Sequence, residues 1–278
     1  MGMRLQNVLG QQIGALRYEP TQRRVRGMVA DEVVVDSDRA VLVWEPRRVT
    51  PTYAVPAEDV YAELVAPVSP PSETGEPAGF SIPDVTRLPV LDPRIPFAVH
   101  STDGDPVDIR VREERRVEAF RPSDPDLAGY LILDFAGFDT WREEDDEIVG
   151  HPRDPFHRID VRHSSRHVQL LLDGRVLADT TRPRLLLETM LPVRYYLPRD
   201  DVVADLEPSS KHTWCPYKGA ATYWSVPEAG AAGTDLVWCY EDPLDESSAV
   251  AGHLAFFHER CDVIVDGTPR ERPVTPWS

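Results

Sequence analysis

Lysine is almost missing from this chain. Among its 278 residues are 30 basic side chains, and only Lys211 and Lys218 are lysines. Arginine supplies the rest. A lysine can lose its proton when desolvated and an arginine cannot. Two lysines so close together therefore point to a local chemical need.

Positive charge is scarce overall. The formal net charge is −17 and the pI about 4.8. A nucleic-acid partner is excluded, because phosphate neutralisation needs a basic surface. An anionic membrane surface is disfavoured for the same reason. No apolar run approaches the ~20 residues of a membrane span. The first twenty residues hold no sustained apolar segment and no small-residue cleavage site, so no secretory signal is expected. Cysteine is limited to Cys215, Cys239 and Cys261. An odd number without a secretory signal reads as reduced thiols in the cytoplasm. No C-x-x-C is present, so no zinc site is expected. No glycine-rich loop opens a helix and there is no P-loop, so no phosphate cradle and no cofactor are expected.

What is present is a repeat. The segment from Arg23, "RRVRGMVADEVVVDSDRAVLVWEPRR", aligns with the segment from Ser165, "SRHVQLLLDGRVLADTTRPRLLLETML". Val25, Asp36, Arg39, Leu42 and Glu45 meet Val168, Asp179, Arg182, Leu185 and Glu188. After a one-residue gap, Tyr53, Pro56, Asp59, Val60 and Leu64 meet Tyr195, Pro198, Asp201, Val202 and Leu206. This is a tandem duplication of one domain.

Each copy reads as a strand meander. Asp173–Gly174 between two apolar runs is a hairpin signal. Further strands are expected at Val25–Val29, Val33–Val35, Val41–Trp44, Val107–Val111 and Tyr130–Phe135, and at Asp235–Asp242, His253–Glu259 and Cys261–Gly267. A short helix is expected in each copy, at Ala57–Val65 and Pro198–Leu206, where a proline and acidic residues open the segment. The proline-rich stretch Val68–Gly79 reads as a loop. The acidic run Arg142–Val149 reads as a solvated face. The prolines of Gly150–Val161 mark a linker, with the boundary near Val161. The expected fold is mainly β: two related small domains, 1–161 and 162–278, of twisted antiparallel sheets.

The chemistry-bearing residues crowd into "KHTWCPYKGAATYWSV", Lys211 to Val226. Pro216 and Gly219 force a turn there. Cys215 is a candidate nucleophile or redox thiol, with Lys218 or His212 near enough to lower its pKa; a buried small hydrophobe is the alternative. Lys218 is a candidate anion anchor or Schiff-base amine, or else a turn lysine in solvent. It is expected to share a cavity with Tyr223 and Cys215. His212 is a candidate base or orienting donor, or a structural histidine. Trp214, Tyr217, Tyr223 and Trp224 are candidates to line an apolar pocket with polar tips, or to fill the core. Glu188, like Glu45, ends a strand as an ion-pair partner or a pocket acid. His151, His157, His163 and His167 lie in the linker region without regular spacing, and no metal site is expected from them.

"HTWCPYKGAATYWSV", preceded by "DGRVLADTTRPRLLLET" and "RYYLPRDDV", resembles the bacterial and fungal family catalogued as domain of unknown function 427. The resemblance spans most of Ser165 to Gly267. It implies a compact β-rich fold, with two sheets open like a tent, and no characterised activity. The family is also filed under a nucleotidyltransferase label, for which these residues offer neither a phosphate loop nor a metal-binding set. The first copy departs from the pattern. Its "PFAVHSTDGDPVDIRV", Pro96 to Val111, lacks the Cys, the Lys and the Tyr-Trp pair. The first copy therefore reads as degenerate, and a small-molecule pocket is expected in the second. A non-enzymatic interaction module, whose motif only shapes a turn, is the competing expectation.

Overall fold

The computed structural model describes residues 2, 5–68, 79–82, 86, 88–113, 115–275 and 277–278. The loop expected at Val68–Gly79 lies, apart from its ends, outside the described residues. The chain divides into two compact units, Met1–Asp154 and Pro155–Ser278.

In the first unit a short helix, α1 (Leu5–Gln11), precedes β1 (Arg17–Pro20), β2 (Val25–Val29), β3 (Glu32–Ser37), β4 (Val41–Trp44), β5 (Thr52–Pro56) and β6 (Glu63–Val65). A two-stranded ribbon follows, β7 (Gly79–Phe80) and β8 (Val90–Leu91). Then come β9 (Gly104–Arg110), β10 (Arg116–Pro122), β11 (Tyr130–Leu133), β12 (Thr140–Glu143) and β13 (Asp146–Ile148). The second unit holds β14 (Ile159–His163), β15 (Val168–Leu172), β16 (Arg175–Thr180), β17 (Arg184–Glu188), β18 (Arg194–Leu197) and β19 (Glu207–Cys215). It continues with β20 (Gly219–Ser225), β21 (Val237–Cys239), β22 (Leu254–Phe256), β23 (Asp262–Val265) and β24 (Thr268–Arg270). β14 lies inside the stretch read as a linker. It pairs with β17, so the second sheet begins before Val161.

The duplication extends to every strand of both large sheets. The larger sheets run β1-β4-β5-β11-β10-β9-β6 and β14-β17-β18-β22-β21-β20-β19. The smaller ones run β13-β12-β2-β3 and β24-β23-β15-β16. Strands β1–β6 thus correspond to β14–β19 and β9–β13 to β20–β24, with the β7–β8 ribbon inserted in the first copy. Fine detail repeats too. The β2–β3 hairpin is bulged at Gly27/Met28 and the β15–β16 hairpin at Leu170/Leu171. Asp173 and Gly174 take φ of 50° and 79°, the two positive values of a type I′ turn. Ala30 and Asp31 repeat it at 49° and 65°. Asp59 accepts from Ser37 Oγ at 2.6 Å and pairs with Arg39, as Asp201 does with Thr180 at 2.6 Å and with Arg182.

The expected helices shrink to single 3₁₀ turns, Ala57–Asp59 and Arg199–Asp201. Val60 and Val202, stiff β-branched residues, turn extended at once and form bridges to Val35 and Ala178. Sheet pairing, rather than a second helical turn, satisfies the backbone there.

In each unit the core lies between the larger and smaller sheets. Val25, Val29, Val35 and Trp141 meet Tyr53, Val55, Ile109 and Leu131 in the first. Val168, Leu170, Val263 and Val265 meet Leu197, Val237 and Phe256 in the second. The larger sheet also carries side chains on its outer face, which is where the two units differ most. In the first unit a separate cluster sits there, with Val41, Val43, Ala54, Phe120 and Ile132 buried. β4 and β18 are consequently buried along their whole length and show no alternation.

The acidic run Arg142–Val149 forms the β12–β13 hairpin. One of its carboxylates is not solvated: Glu143 is buried, accepts from Tyr53 Oη at 2.9 Å and pairs with Arg23 at 2.8 Å.

Candidate functional site

The "CPYK" turn is built as its residues require. Lys218 N–H donates to Cys215 O at 3.2 Å across a β-turn whose second residue is Pro216. Proline presets that position's φ. Gly219, at φ +93°, then starts β20 in a conformation that side chains resist. The Lys218 carbonyl accepts from Leu244 N at 3.2 Å, which pins the turn from the far side.

This turn carries Lys218 inward. Its ammonium meets Glu188 Oε1 at 2.5 Å, with the two side chains only 10% and 6% exposed. His157 Nε2 reaches the same Oε1 at 2.9 Å. The His157 ring stacks on Tyr217 at 4.1 Å. Burial disfavours a charged Glu188, but Lys218 and His157 overcome it and hold its pKa down at about 2. The carboxylate is thus ionised at neutral pH. Both described partners use Oε1. Oε2 receives no hydrogen bond among the described residues.

Strand pairing decides which motif residues share this face. Residues opposite one another on antiparallel strands point the same way. Tyr223 pairs with Trp238, Trp238 with Ala255, and Ala255 with Tyr196. This row lies on the outer face of the larger sheet. Trp238 Nε1 donates to Tyr196 Oη at 3.1 Å, and Tyr223 Oη bonds Thr213 Oγ1 at 2.8 Å. Cys215 is opposite Gly219, in phase with Thr213 and Tyr223. Burial raises the Tyr223 hydroxyl's pKa. At the other end of the row, Lys211 Nζ lies 4.6 Å from the Tyr223 ring centroid and Arg194 lies 5.6 Å from that of Trp238.

Five of the expected residues therefore gather on or beside one face: Glu188, Cys215, Tyr217, Lys218 and Tyr223. Three do not. His212, Trp214 and Trp224 fall on the opposite face, because each is one residue out of phase with Thr213, Cys215 or Tyr223. His212 is exposed, Trp214 is 44% exposed, and Trp224 packs under the Arg199 guanidinium at 4.9 Å. His212 thus cannot serve Cys215 or Lys218. The histidine that does reach the group is His157, from the stretch read as a linker. Of the other linker histidines, His151 bonds the Pro152 carbonyl and His167 pairs with Asp179. Among the described residues no three His, Cys, Asp or Glu side chains are grouped to hold a metal ion.

A family model described as a domain of unknown function, DUF427, matches residues 17–75 and 160–267. The chain belongs to the DUF427 family. Its two matched segments fall one in each unit, and the second contains the whole "CPYKG" turn with Glu188. No curated protein matches. Among the described residues of this DUF427 protein, no helix is long and apolar enough to cross a membrane.

The three thiols are sharply distinguished. Burial pushes Cys239 and Cys261 up to about 12. Cys215 is half-buried at the end of an edge strand. Iodoacetamide at pH 8 is expected to alkylate Cys215 well before the other two, as peptide mapping of a time course would show. Equal labelling of all three in the folded protein would remove Cys215 as a reactive thiol.

Proposed function

We propose that this DUF427 protein binds a small molecule on the outer face of the second copy's larger sheet. In this reading, Glu188 and Lys218 fix the ligand's polar group while Tyr217 and Tyr223 pack against its body. The observation that carries it is the Glu188 carboxylate: buried, ionised and engaged by Lys218 and His157 through Oε1 alone. A buried ion pair is weak evidence for stability, since an apolar replacement of similar volume often serves as well. Its presence in a small β module is therefore read as serving recognition. A buried carboxylate whose pKa is displaced by specific charge partners is a functional-site candidate. The ligand would carry a donor for Glu188 Oε2 beside a flat or apolar portion.

The competing reading is a non-enzymatic interaction module. It is favoured by the dispersal of His212, Trp214 and Trp224, and by the closure of Lys218 onto Glu188 rather than onto open space. A metabolite screen by thermal shift, followed by calorimetry of each hit on the wild type and on Tyr223→Leu and Lys218→Met, separates the two. Loss of a contact to a charged group is expected to weaken binding by roughly 1.5–3 kcal/mol. Hits whose affinity is indifferent to both substitutions would leave the interaction module as the better account.

A further inference from the structure

The first copy, degenerate in its motif, has a cavity of about 800 Å³ on the corresponding face. The register explains it. Ala54, Ile132, Phe120 and Pro106 form the cross-strand row that in the second copy reads Tyr196, Ala255, Trp238 and Tyr223. Phe120 is smaller than Trp238 and Pro106 smaller than Tyr223. Two positions before Pro106, Gly104 stands where the second copy has Ala221. This face is short of side-chain volume, and Pro106, Phe120 and Gly104 all line the cavity.

The repeated carboxylate is present beside it. Glu45, the counterpart of Glu188, is 2% exposed and bonds His100 Nδ1 at 2.9 Å through Oε1. Its Oε2 accepts from Ser101 N at 2.7 Å. His100 stacks on Phe120 at 3.7 Å, with Phe97 edge-on to it at 5.0 Å. A histidine stacked on an aromatic ring and bonded to this glutamate thus recurs in both copies, although the two histidines come from unrelated parts of the chain. Here the stack is a flat apolar wall of the cavity.

The charged part of the lining is four carboxylates, Asp103, Asp105, Asp108 and Glu118, against one cation, Arg116. Asp108 and Glu118 sit directly opposite each other on β9 and β10. Like charges in such a pair destabilise a sheet. Asp108 is met by Val68 N at 3.1 Å and by Arg116 at 3.4 Å. Glu118, Asp103 and Asp105 are exposed at the cavity's open side, and no described side chain pairs with them. Burial, together with the Asp134 and Asp108 carboxylates, pushes the pKa of Glu118 up. The second copy has no such pair, since Ser225 and Leu236 take the places of Asp108 and Glu118. The first copy has therefore exchanged aromatic filling for space and negative charge.

We propose that this cavity is a second ligand site, specific to the first copy, which takes a small organic cation with a flat apolar body. The ammonium group would lie against Glu118, on the side away from the Arg116–Asp108 pair. The body would lie against Phe120 and Phe97. A net charge of −17 concentrates such cations near the protein. The reading of the second copy does not enter this argument, and the two can fail separately.

The test uses the full chain and three probes of one shape: 2-phenylethylamine, 2-phenylethanol and phenylacetate, followed by ligand-observed NMR and calorimetry. The amine is expected to bind most tightly and phenylacetate least. Glu118→Gln should weaken the amine about tenfold or more and leave the alcohol nearly unchanged, the scale of a lost charge-assisted contact. Pro106→Tyr, which restores the second copy's residue, should abolish binding of both. Val203→Ser, at an exposed position of the other copy, should change neither. If Pro106→Tyr misfolds, Glu118→Gln on the strand surface still decides the matter. The proposal is overturned if the three probes bind alike, if the amine fails to bind up to its solubility limit, or if its affinity survives Glu118→Gln.

Discussion

Replacing Glu188 with Gln is expected to cost the second copy about 3–5 kcal/mol of stability, the range for breaking a buried ion pair from one side. Lys218 would be left 10% exposed with its counter-charge gone, and His157 would lose its carboxylate partner as well. Lys218→Met should cost nearly as much, because Glu188 would then retain only His157. The double variant Glu188→Gln, Lys218→Met should be more stable than the sum of the two losses implies, since neither charge remains to be stranded. Urea unfolding followed by Trp fluorescence measures all three. A loss below about 1 kcal/mol for both single variants would mean that water reaches the pair freely, as for a surface salt bridge. That result would count against a buried trio, and with it against the ligand site built on it.

Acid is expected to destabilise the second copy in two overlapping steps. His258 is buried, and among the described residues its Nε2 has no hydrogen-bond partner. Burial and the nearby Arg194 guanidinium depress its pKa from 6.5 to about 3, against the pull of Glu259. The unfolded chain therefore takes up this proton first as the pH falls. Stability is complete above pH 6.5 and declines toward pH 3, by up to ~1.4 kcal/mol per pH unit. Glu188 acts lower. Its pKa is about 2 in the fold against 4.5 for the free group, so its contribution is present above pH 4.5 and is lost between 4.5 and 2. Between pH 4.5 and 3 the two slopes add. Melting temperatures taken from pH 7.5 down to 4 should hold level to about pH 6.5 and fall from there. His258→Phe should flatten the upper part of that decline without loss at pH 7.5, because it also removes an unsatisfied buried nitrogen. A wild-type melting temperature that is level from pH 7 to 5 would show that His258 is not held neutral by the fold.

Much of this architecture is readable from residue patterns, because a duplication lets each copy check the other. The matches from Val25 to Leu64 and from Val168 to Leu206 mark equivalent strands, and Asp173–Gly174 marks its turn by chemistry alone. Glu45 and Glu188 are visible as paired carboxylates. The two short helices are read too long, because their acidic, proline-led openings resemble helix starts while the bridges made by Val60 and Val202 are tertiary. The site is half legible. "CPYKG" announces a turn, but which side chains it aims inward depends on the phase of β19 and β20. A one-residue step separates Cys215 from Trp214 and Tyr223 from Trp224. His157 and His100 could not be found by spacing, since each reaches its glutamate from a loop far away in the chain. The signal for them was the repeated glutamate itself, which needs a partner once buried. The first copy's cavity was illegible because it consists of missing volume, and Pro106 and Gly104 reveal it only when the strands are set in register against Tyr223 and Ala221.

The way each smaller sheet closes has a consequence for synthesis on the ribosome. β12 pairs with β2, Trp141 facing Gly27, and β23 pairs with β15, Val265 facing Val168. The first and last parts of each module are thus hydrogen-bonded neighbours, with almost the whole module looped out between them. Closing such a loop is entropically costly, and pairings this remote in sequence slow folding. No nascent chain can complete either sandwich until nearly all of that module has emerged. The first module can close while the second is still being translated, so the aggregation-prone interval of open strand edges is divided into two shorter ones. The same closure means that a fragment ending before β12 or β23 leaves β2 or β15 with a bare edge. Only a whole module is a viable unit to copy, which is the form the duplication takes.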